Sequence, residues 1–394
     1  MPTSARLRAL MANASWIRKM FEEGNRLRAE LGPERVFDFS LGNPDLEPPP
    51  QLAAELQRLV QDDRRGAHAY MPNTGYPEVR EAVAAHLRRL HGQHFTREHV
   101  VMTVGAAGAL NCVLKAILEP GDEVLVFVPY FPEYRFYIDN HDGVTVPVET
   151  DAGFGLDLAE VERHLSPRTR AAILCSPNNP TGRIYDRASL QGLAELLQRQ
   201  EARGGRPIYL IADEPYRQII YDDVELPSIF ALHPAAIVCT SHSKDLAIPG
   251  ERIGYVAINP EFSGVAALVD GLAFSNRILG YVNAPALMQR LVAQLQEVTV
   301  DPQIYQRRRD LLVEGLRAAG WPVEAPQGSF YLFPRTPLAD DVRFVELLQQ
   351  QAVLVVPGAG FGRPGHVRIA YCVPEAVIRG SLPGFAAAVA EARQ

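Results

Sequence analysis

Cysteine is scarce in this sequence: four residues in 394, Cys112, Cys175, Cys239 and Cys372, lie far apart with no paired spacing. That argues against a disulfide framework. Three of the four sit in apolar runs, so a reducing, cytoplasmic location is expected. No stretch reaches the ~20 apolar residues of a transmembrane helix, so no membrane partner is expected. The N-terminal region, typified by Trp16-Ile17-Arg18-Lys19-Met20-Phe21-Glu22-Glu23, mixes apolar with charged residues and lacks the unbroken apolar core of a signal peptide. Positive charge is not in excess either. A formal net charge of −7 argues against a protein whose main partner is nucleic acid or an anionic membrane. It leaves room for small anions, which are captured by local charge. Internal repeats, low-complexity tracts and flexible linkers are also missing.

What is present is the balance of a soluble globular protein, with 47% hydrophobic and 22% charged residues. A single core stops growing at roughly 250–300 residues, so 394 residues imply two domains. Residues 4–31 have apolar positions at helical spacing (Leu7, Leu10, Met11, Ile17, Met20, Leu27). From about residue 98, apolar runs alternate with helical patterns: Val100–Val104, Val124–Val128, Val144–Val148, Ala171–Cys175, Ile208–Ala212, Ala236–Cys239 and Ile253–Ile258. Near-continuous apolar strands separated by helices such as Leu110–Leu118 and Leu190–Gln200 indicate an α/β fold, a mainly parallel sheet covered on both faces. After Pro285 a long helical stretch, Ala286 to Ala319, leads to short apolar runs at Gly328–Phe333, Val353–Val356 and His366–Tyr371. The expected division is a large domain, 46–285, and a smaller α+β domain built from 1–45 and 286–394.

Four clusters follow predicted strands, where parallel sheets bind ligands. In Ser241-His242-Ser243-Lys244, burial and neighbouring cations can lower the lysine's pKa and make the amine nucleophilic. A lone lysine is more often a solvated surface residue, but Ser241 and Arg252 flank this one. An amine beside a hydroxyl and a guanidinium is what a phosphate-bearing aldehyde requires. In Ala212-Asp213-Glu214-Pro215-Tyr216, Asp213 can hold a pyridine nitrogen protonated or, more plainly, cap a helix. Ser176-Pro177-Asn178-Asn179-Pro180-Thr181-Gly182 is a rigid turn that can aim an amide. Gly105-Ala106-Ala107-Gly108 separates a strand from a helix and lets backbone N–H groups approach a phosphate, although it has neither GxGxxG spacing nor a Walker loop.

Together the clusters resemble the class I/II, fold-type I pyridoxal-5′-phosphate (PLP) aminotransferases over nearly the whole chain. Ser40-Leu41-Gly42-Asn43-Pro44-Asp45, Gly75-Tyr76-Pro77-Glu78-Val79-Arg80, Pro129-Tyr130-Phe131-Pro132, Gly328-Ser329-Phe330-Tyr331, Val356-Pro357-Gly358 and His366-Val367-Arg368-Ile369 add to the match. The resemblance implies a seven-stranded large domain sandwiched by helices, plus the smaller α+β domain. It implies that Lys244 condenses with the cofactor aldehyde and shuttles a proton, that Asp213 pairs with the pyridine nitrogen, and that Asn179 and Tyr216 bond the ring oxygen. Phe131 would stack on the ring. The amides of Ala106 and Ala107, with Ser241, Ser243 and Arg252, would bind phosphate, with Tyr70 reaching in from the partner subunit of a homodimer. Arg368 would grip the substrate α-carboxylate, assisted by Asn179, and Gly42 would line the entrance. The implied reaction moves an α-amino group from an L-amino acid to a 2-oxo acid by a ping-pong mechanism. A carbon–sulfur β-lyase on the same residues is the alternative.

One position departs from the pattern. Aspartate-specific members of the family carry a lysine where this chain has Ala107, so a neutral or aromatic amino acid is expected more than aspartate. Arg277 is the nearest replacement cation by order along the chain. Three further features are read as structural. His91, His94 and His99 lack a carboxylate or cysteine at zinc-ligand spacing, so no metal is expected. Arg307-Arg308-Arg309 is read as a solvated helix face. Asp245 is read as starting a helix after Lys244 or as tuning the lysine's charge.

Overall fold

The computed structural model describes residues 3–12, 16–62 and 65–394. After a two-residue strand, β1 (Phe37–Asp38), come seven strands that form one sheet: β2 (Val100–Thr103), β3 (Glu123–Val128), β4 (Val144–Glu149), β5 (Thr169–Cys175), β6 (Tyr209–Asp213), β7 (Ala236–Ser241) and β8 (Gly254–Ile258). Their order is β2-β8-β7-β6-β5-β3-β4. Pairings from β4 through to β7 are parallel, and β8 runs antiparallel to both β7 and β2. Strands β2 and β3 through β7, except the edge strand β4, are buried along nearly their whole length, as their unbroken apolar runs require.

Alternate residues feed two opposite cores. Leu125, Phe127, Ala172, Leu174, Leu210 and Ala212 pack on one face with the helices Pro77–His91 and Arg187–Gly204. Val124, Val126, Ala171, Ile173, Tyr209 and Ile211 pack on the other with the helices Gly105–Ile117 and Val265–Ile278. The period of two sorts one strand into two layers, which gives the helix–sheet–helix sandwich.

The C-terminal unit has its own core around Trp321, Phe344 and Phe385. Its strands are β9 (Tyr331–Leu332), β10 (Val353–Leu354), β11 (Val356–Pro357) and β12 (Val367–Ala370), with β11-β12-β9 antiparallel. Strand β1 pairs parallel with β10, and Met20 and Phe39 enter this core, so the N-terminal segment joins the C-terminal unit. Asp45 reinforces the join through two bonds from Arg308, at 2.6 and 2.9 Å.

Several local expectations need correction. The stretch expected as one helix from Ala286 to Ala319 is two, Ala286–Ala293 and Pro302–Ala318. Asp301 caps the second by accepting from the Gln303 N–H at 2.9 Å, with Pro302 in the first turn. The first piece packs against the sheet through Met288, Leu291 and Val292, and Val300 already belongs to the C-terminal core. Val298 is the last apolar residue of this stretch packed on the sheet core. Within 4–31, Ala5–Ala12 and Trp16–Leu31 are helical, and residues 13–15 lie outside the described residues. Leu7 and Met11 are exposed there, whereas Met20 and Leu27 are buried. Arg308 and Arg309 are not solvated. They are buried, because Asp45, Asp222 and Asp310 sit close enough to pair with them. The segment after Lys244 is a series of turns rather than a helix.

Candidate active site

The site forms where strand ends meet the C-terminal unit. Strands β2, β3, β5, β6 and β7 all point their C-terminal ends the same way, and the four clusters named from sequence follow β2, β5, β6 and β7. Strand β12 and the segment 40–42 close the opposite wall. Between them lies a cavity of about 270 Å³. Of the candidate residues, Gly42, Ala106, Ala107, Phe131, Asn179, Asp213, Tyr216, Ser241, Ser243, Lys244, Arg252 and Arg368 all line it. Tyr70 does not. It is 91% exposed and borders a separate hollow with Tyr281 and Val282. Arg277 is exposed and also lies outside the cavity. A larger cleft of about 400 Å³ between Phe154, Arg183, Arg335 and His366 holds none of the candidates.

Lys244 Nζ donates to the Gly42 carbonyl at 2.8 Å. Burial, aided by the charges of Arg252 and Arg368 and opposed by Cys372, lowers its pKa from 10.5 to about 8. A large fraction of the amine is therefore neutral and nucleophilic slightly above neutral pH. The glycine is needed because a Cβ at position 42 would stand 1.8 Å from the Tyr331 hydroxyl. Tyr331 in turn bonds the Tyr216 hydroxyl at 3.0 Å, so Gly42, Tyr331 and Tyr216 are packed as one unit beside the lysine.

Asp213 ends β6 and is buried. Its Oδ2 accepts from the Tyr134 hydroxyl at 2.6 Å, while Oδ1 is sealed from solvent with no partner among the described residues. Burial raises its pKa to about 7, against the lowering effect of Tyr134 and with a smaller upward push from Glu214. A cationic N–H placed at Oδ1 would satisfy the stranded atom and hold the carboxylate ionised.

Arg368, on β12, is buried with its guanidinium over Tyr331 at 4.7 Å and Phe361 at 4.9 Å. It donates to Asn179 Oδ1 at 3.2 Å and to the Ser40 carbonyl at 2.6 Å, and Nε has no partner among the described residues. This is a rigidly held cation facing the cavity, suited to a carboxylate. The turn Gly105-Ala106-Ala107-Gly108, expected between strand and helix, is the first turn of the helix Gly105–Ile117 itself. Its amides therefore sit at a positive dipole end. Gly105 takes φ +76°, and a Cβ there would come within 2.9 Å of Arg252 Nη2, so only glycine lets Arg252 close on the turn.

The structure adds residues that sequence reading left without roles. Tyr134 holds Asp213, Tyr331 joins Gly42 to Tyr216, and the Ser40 carbonyl positions Arg368. Tyr331 lay inside a quoted motif. Tyr134 follows Phe131 by three residues, a helical spacing that was available as a signal. His242 is buried and bonds Asp245 at 3.0 Å, which accounts for both residues as structural partners behind the lysine. His91 bonds Ser228 and His99 receives the Thr96 N–H. Among the described residues no group of three or more His, Cys, Asp or Glu could hold a metal.

A mainly parallel sheet whose strand ends bring a lysine and a stranded carboxylate to two arginines, one of them from the opposite wall, suits a fold-type I enzyme of amino-group chemistry. The comparisons agree. The family model "Aminotransferase class I and II" matches residues 34–380, and the chain belongs to that family. The aspartate/prephenate aminotransferase of Thermus thermophilus is 35% identical over 354 residues, covering 88% of this chain and 89% of that protein. An aminotransferase structure from Eubacterium rectale superposes with a TM-score of 0.96 at 37% identity over 100% of both chains. The aspartate aminotransferase of Thermus thermophilus with maleate gives 0.87 at 32% identity, covering 98% of this chain and 100% of that one. The protein is an aminotransferase.

Proposed function

We propose that this aminotransferase uses pyridoxal 5′-phosphate and moves the α-amino group of an L-amino acid with an uncharged side chain to a 2-oxo acid, working as a homodimer in the cytoplasm. The observation that carries the cofactor reading is Asp213 Oδ1, a buried oxygen without a partner at one end of a cavity that has Lys244 and two arginines around it. A pyridine nitrogen, protonated, fits that atom. The cofactor, when bound, supplies an electron sink that stabilises negative charge at the substrate Cα.

The chain's own residues divide the remaining work. Arg252, Ser241, Ser243 and the amides of Ala106 and Ala107 would hold the phosphate. Phe131 would pack on the cofactor ring, and Asn179 and Tyr216 would bond its oxygen; all three line the cavity. Arg368 takes the substrate α-carboxylate through its fork, held in direction by Asn179 and the Ser40 carbonyl. With both anionic ends fixed, Cα would be held on the Lys244 side of the cavity. Nζ, whose pKa of about 8 suits proton transfer near neutral pH, would take up and return the proton of a substrate Cα held beside it. Ala107, which brings no charge to the cavity wall, supports an uncharged side chain over aspartate.

The test is spectroscopic. Purified protein should bind PLP with an absorbance band near the visible edge, and Lys244→Ala should shift that band and cut turnover by at least ~10²–10⁴-fold. A variant that keeps full turnover would remove Lys244 from the chemistry and overturn the proposal.

A further inference from the structure

The cleft of about 400 Å³ beside the active site has no part in the chemistry above. It shares no lining residue with the active-site cavity, yet the same segments wall both. Tyr331 lines the cavity and Leu332 the cleft; Arg368 lines the cavity and His366 the cleft; Asn179 lines the cavity, and Thr181 and Arg183 the cleft. Arg183 comes from the turn after β5, and Arg335 follows β9 and bridges to His366. Among the described residues neither guanidinium has an ion pair or a side-chain hydrogen bond, although Arg183 is half-buried. Donors held out of bulk water are costly to leave unmet. Arg183 Nη1 lies against the loop before Phe154, 3.8 Å from where a Gly153 Cβ would stand. Asp151 belongs to that loop, but its Oδ1 accepts from the Gly153 and Gly155 amides at 2.8 and 2.7 Å and it forms no ion pair with the arginine. Glu324 also lines the cleft and pairs with neither arginine. Much of the remaining wall is apolar. The rings of Phe333 and His366 stack at 5.3 Å, and Phe154 meets both edge-on. Phe154 holds φ +64°, a strained conformation for so large a side chain, and such strain collects at ligand sites. Burial keeps His366 below its usual pKa, aided by Arg363 and Arg335 and opposed by the Pro364 carbonyl and Asp341. The ring is therefore neutral at pH 7, and the two arginines supply the positive charge.

We propose that this cleft is a second, non-catalytic binding site for a small carboxylate with an apolar body, the charged end drawn to Arg183 and Arg335 and the body resting on Phe154, Leu332 and Phe333. The volume falls in the range of small-molecule sites. Guanidinium groups without a carboxylate of their own give an incoming one charge-assisted donors. An inorganic phosphate would meet the same two cations but bury no apolar surface on the aromatic wall, so the wall selects for a ligand with a body. The site makes no use of amino-group chemistry, so it stands or falls apart from the function proposed above.

The probe is 3-phenylpropionate, which has neither an amino nor a keto group to react. It is titrated calorimetrically into PLP-loaded protein carrying Arg368→Gln, which removes the carboxylate grip of the active site and leaves that of the cleft. One equivalent per chain should bind, with a dissociation constant of about 1 mM or below. Adding Arg183→Gln should weaken binding by about tenfold or more. Adding Arg335→Gln instead, at an exposed position, should weaken it by about threefold or more and carries the test if the half-buried Arg183 proves necessary for folding, which circular dichroism reports. The uncharged 3-phenylpropionamide and inorganic phosphate should each bind at least about tenfold more weakly than the acid. The inference is overturned if the acid does not bind, if its affinity is the same after both cleft substitutions, or if phosphate or the amide binds as tightly.

Discussion

Lys244 is held at a cost. Its folded pKa of about 8 lies below the ordinary 10.5, so between those values the folded chain binds fewer protons than the unfolded chain. Stability therefore rises as pH climbs from about 8 to 10.5, and at pH 7 the buried ammonium costs at most about 3 kcal/mol, less for a side chain that keeps some solvent contact. Lys244→Met in the cofactor-free protein should raise Tm at pH 7, and the gain should shrink above pH 10. Scanning calorimetry at the two pH values checks this, and an equal gain at both would refute it. Asp213 works in the opposite direction: raised to about 7, it costs stability as pH rises from about 4 to 7 while no partner meets it. Both residues were legible from sequence because each sits in a short motif at a strand end. The spacing from Phe131 could have drawn attention to Tyr134, but not its bond to Asp213, which lies 79 positions away.

Among the elements, the strands were the easiest to read. Buried on both faces, they appear in sequence as continuous apolar runs that few other structures produce. The break at 294–301 in the expected helix went unread, although Asp301-Pro302 is a helix-start signal. An apolar pattern that continued across it concealed the change of packing partner. The opening of the helix Gly105–Ile117 makes a sharper demand. Gly105→Ala would place a methyl group against Arg252 and force a side chain to φ +76°. Its PLP dissociation constant should rise by roughly 10–100-fold, about 1.4–2.7 kcal/mol, because the methyl group pushes Arg252 off the phosphate it would hold. Equilibrium dialysis with circular dichroism as the folding control measures it, and unchanged affinity in a folded variant would contradict the phosphate site.

At the scale of the molecule, the charge pattern misled where folding joined distant segments. Arg308 and Arg309 read as a solvated run because Asp45 and Asp222 lie 263 and 87 positions away. The surface raises a further point. Tyr70 is 91% exposed, with Phe274 at 60% and Ile278 at 49%, and Tyr70 stands outside its own chain's cavity. We expect a homodimer in which Tyr70 completes the partner's phosphate site. Light scattering should report twice the 43.5 kDa of one chain, and Tyr70→Phe should weaken PLP retention without dissociating the dimer. A fully active monomer would contradict this.

The central claim is that the site moves an amino group from one carbon skeleton to another. The most direct measurement follows that nitrogen. A ¹⁵N-labelled amino acid is incubated with the PLP-loaded enzyme and an unrelated 2-oxo acid, and the label is traced by mass spectrometry. Label should appear in the amino acid formed from the second oxo acid, with parallel double-reciprocal lines when both substrates are varied. Label released as ammonia, with pyruvate formed from a cysteine conjugate, would contradict it and identify a lyase.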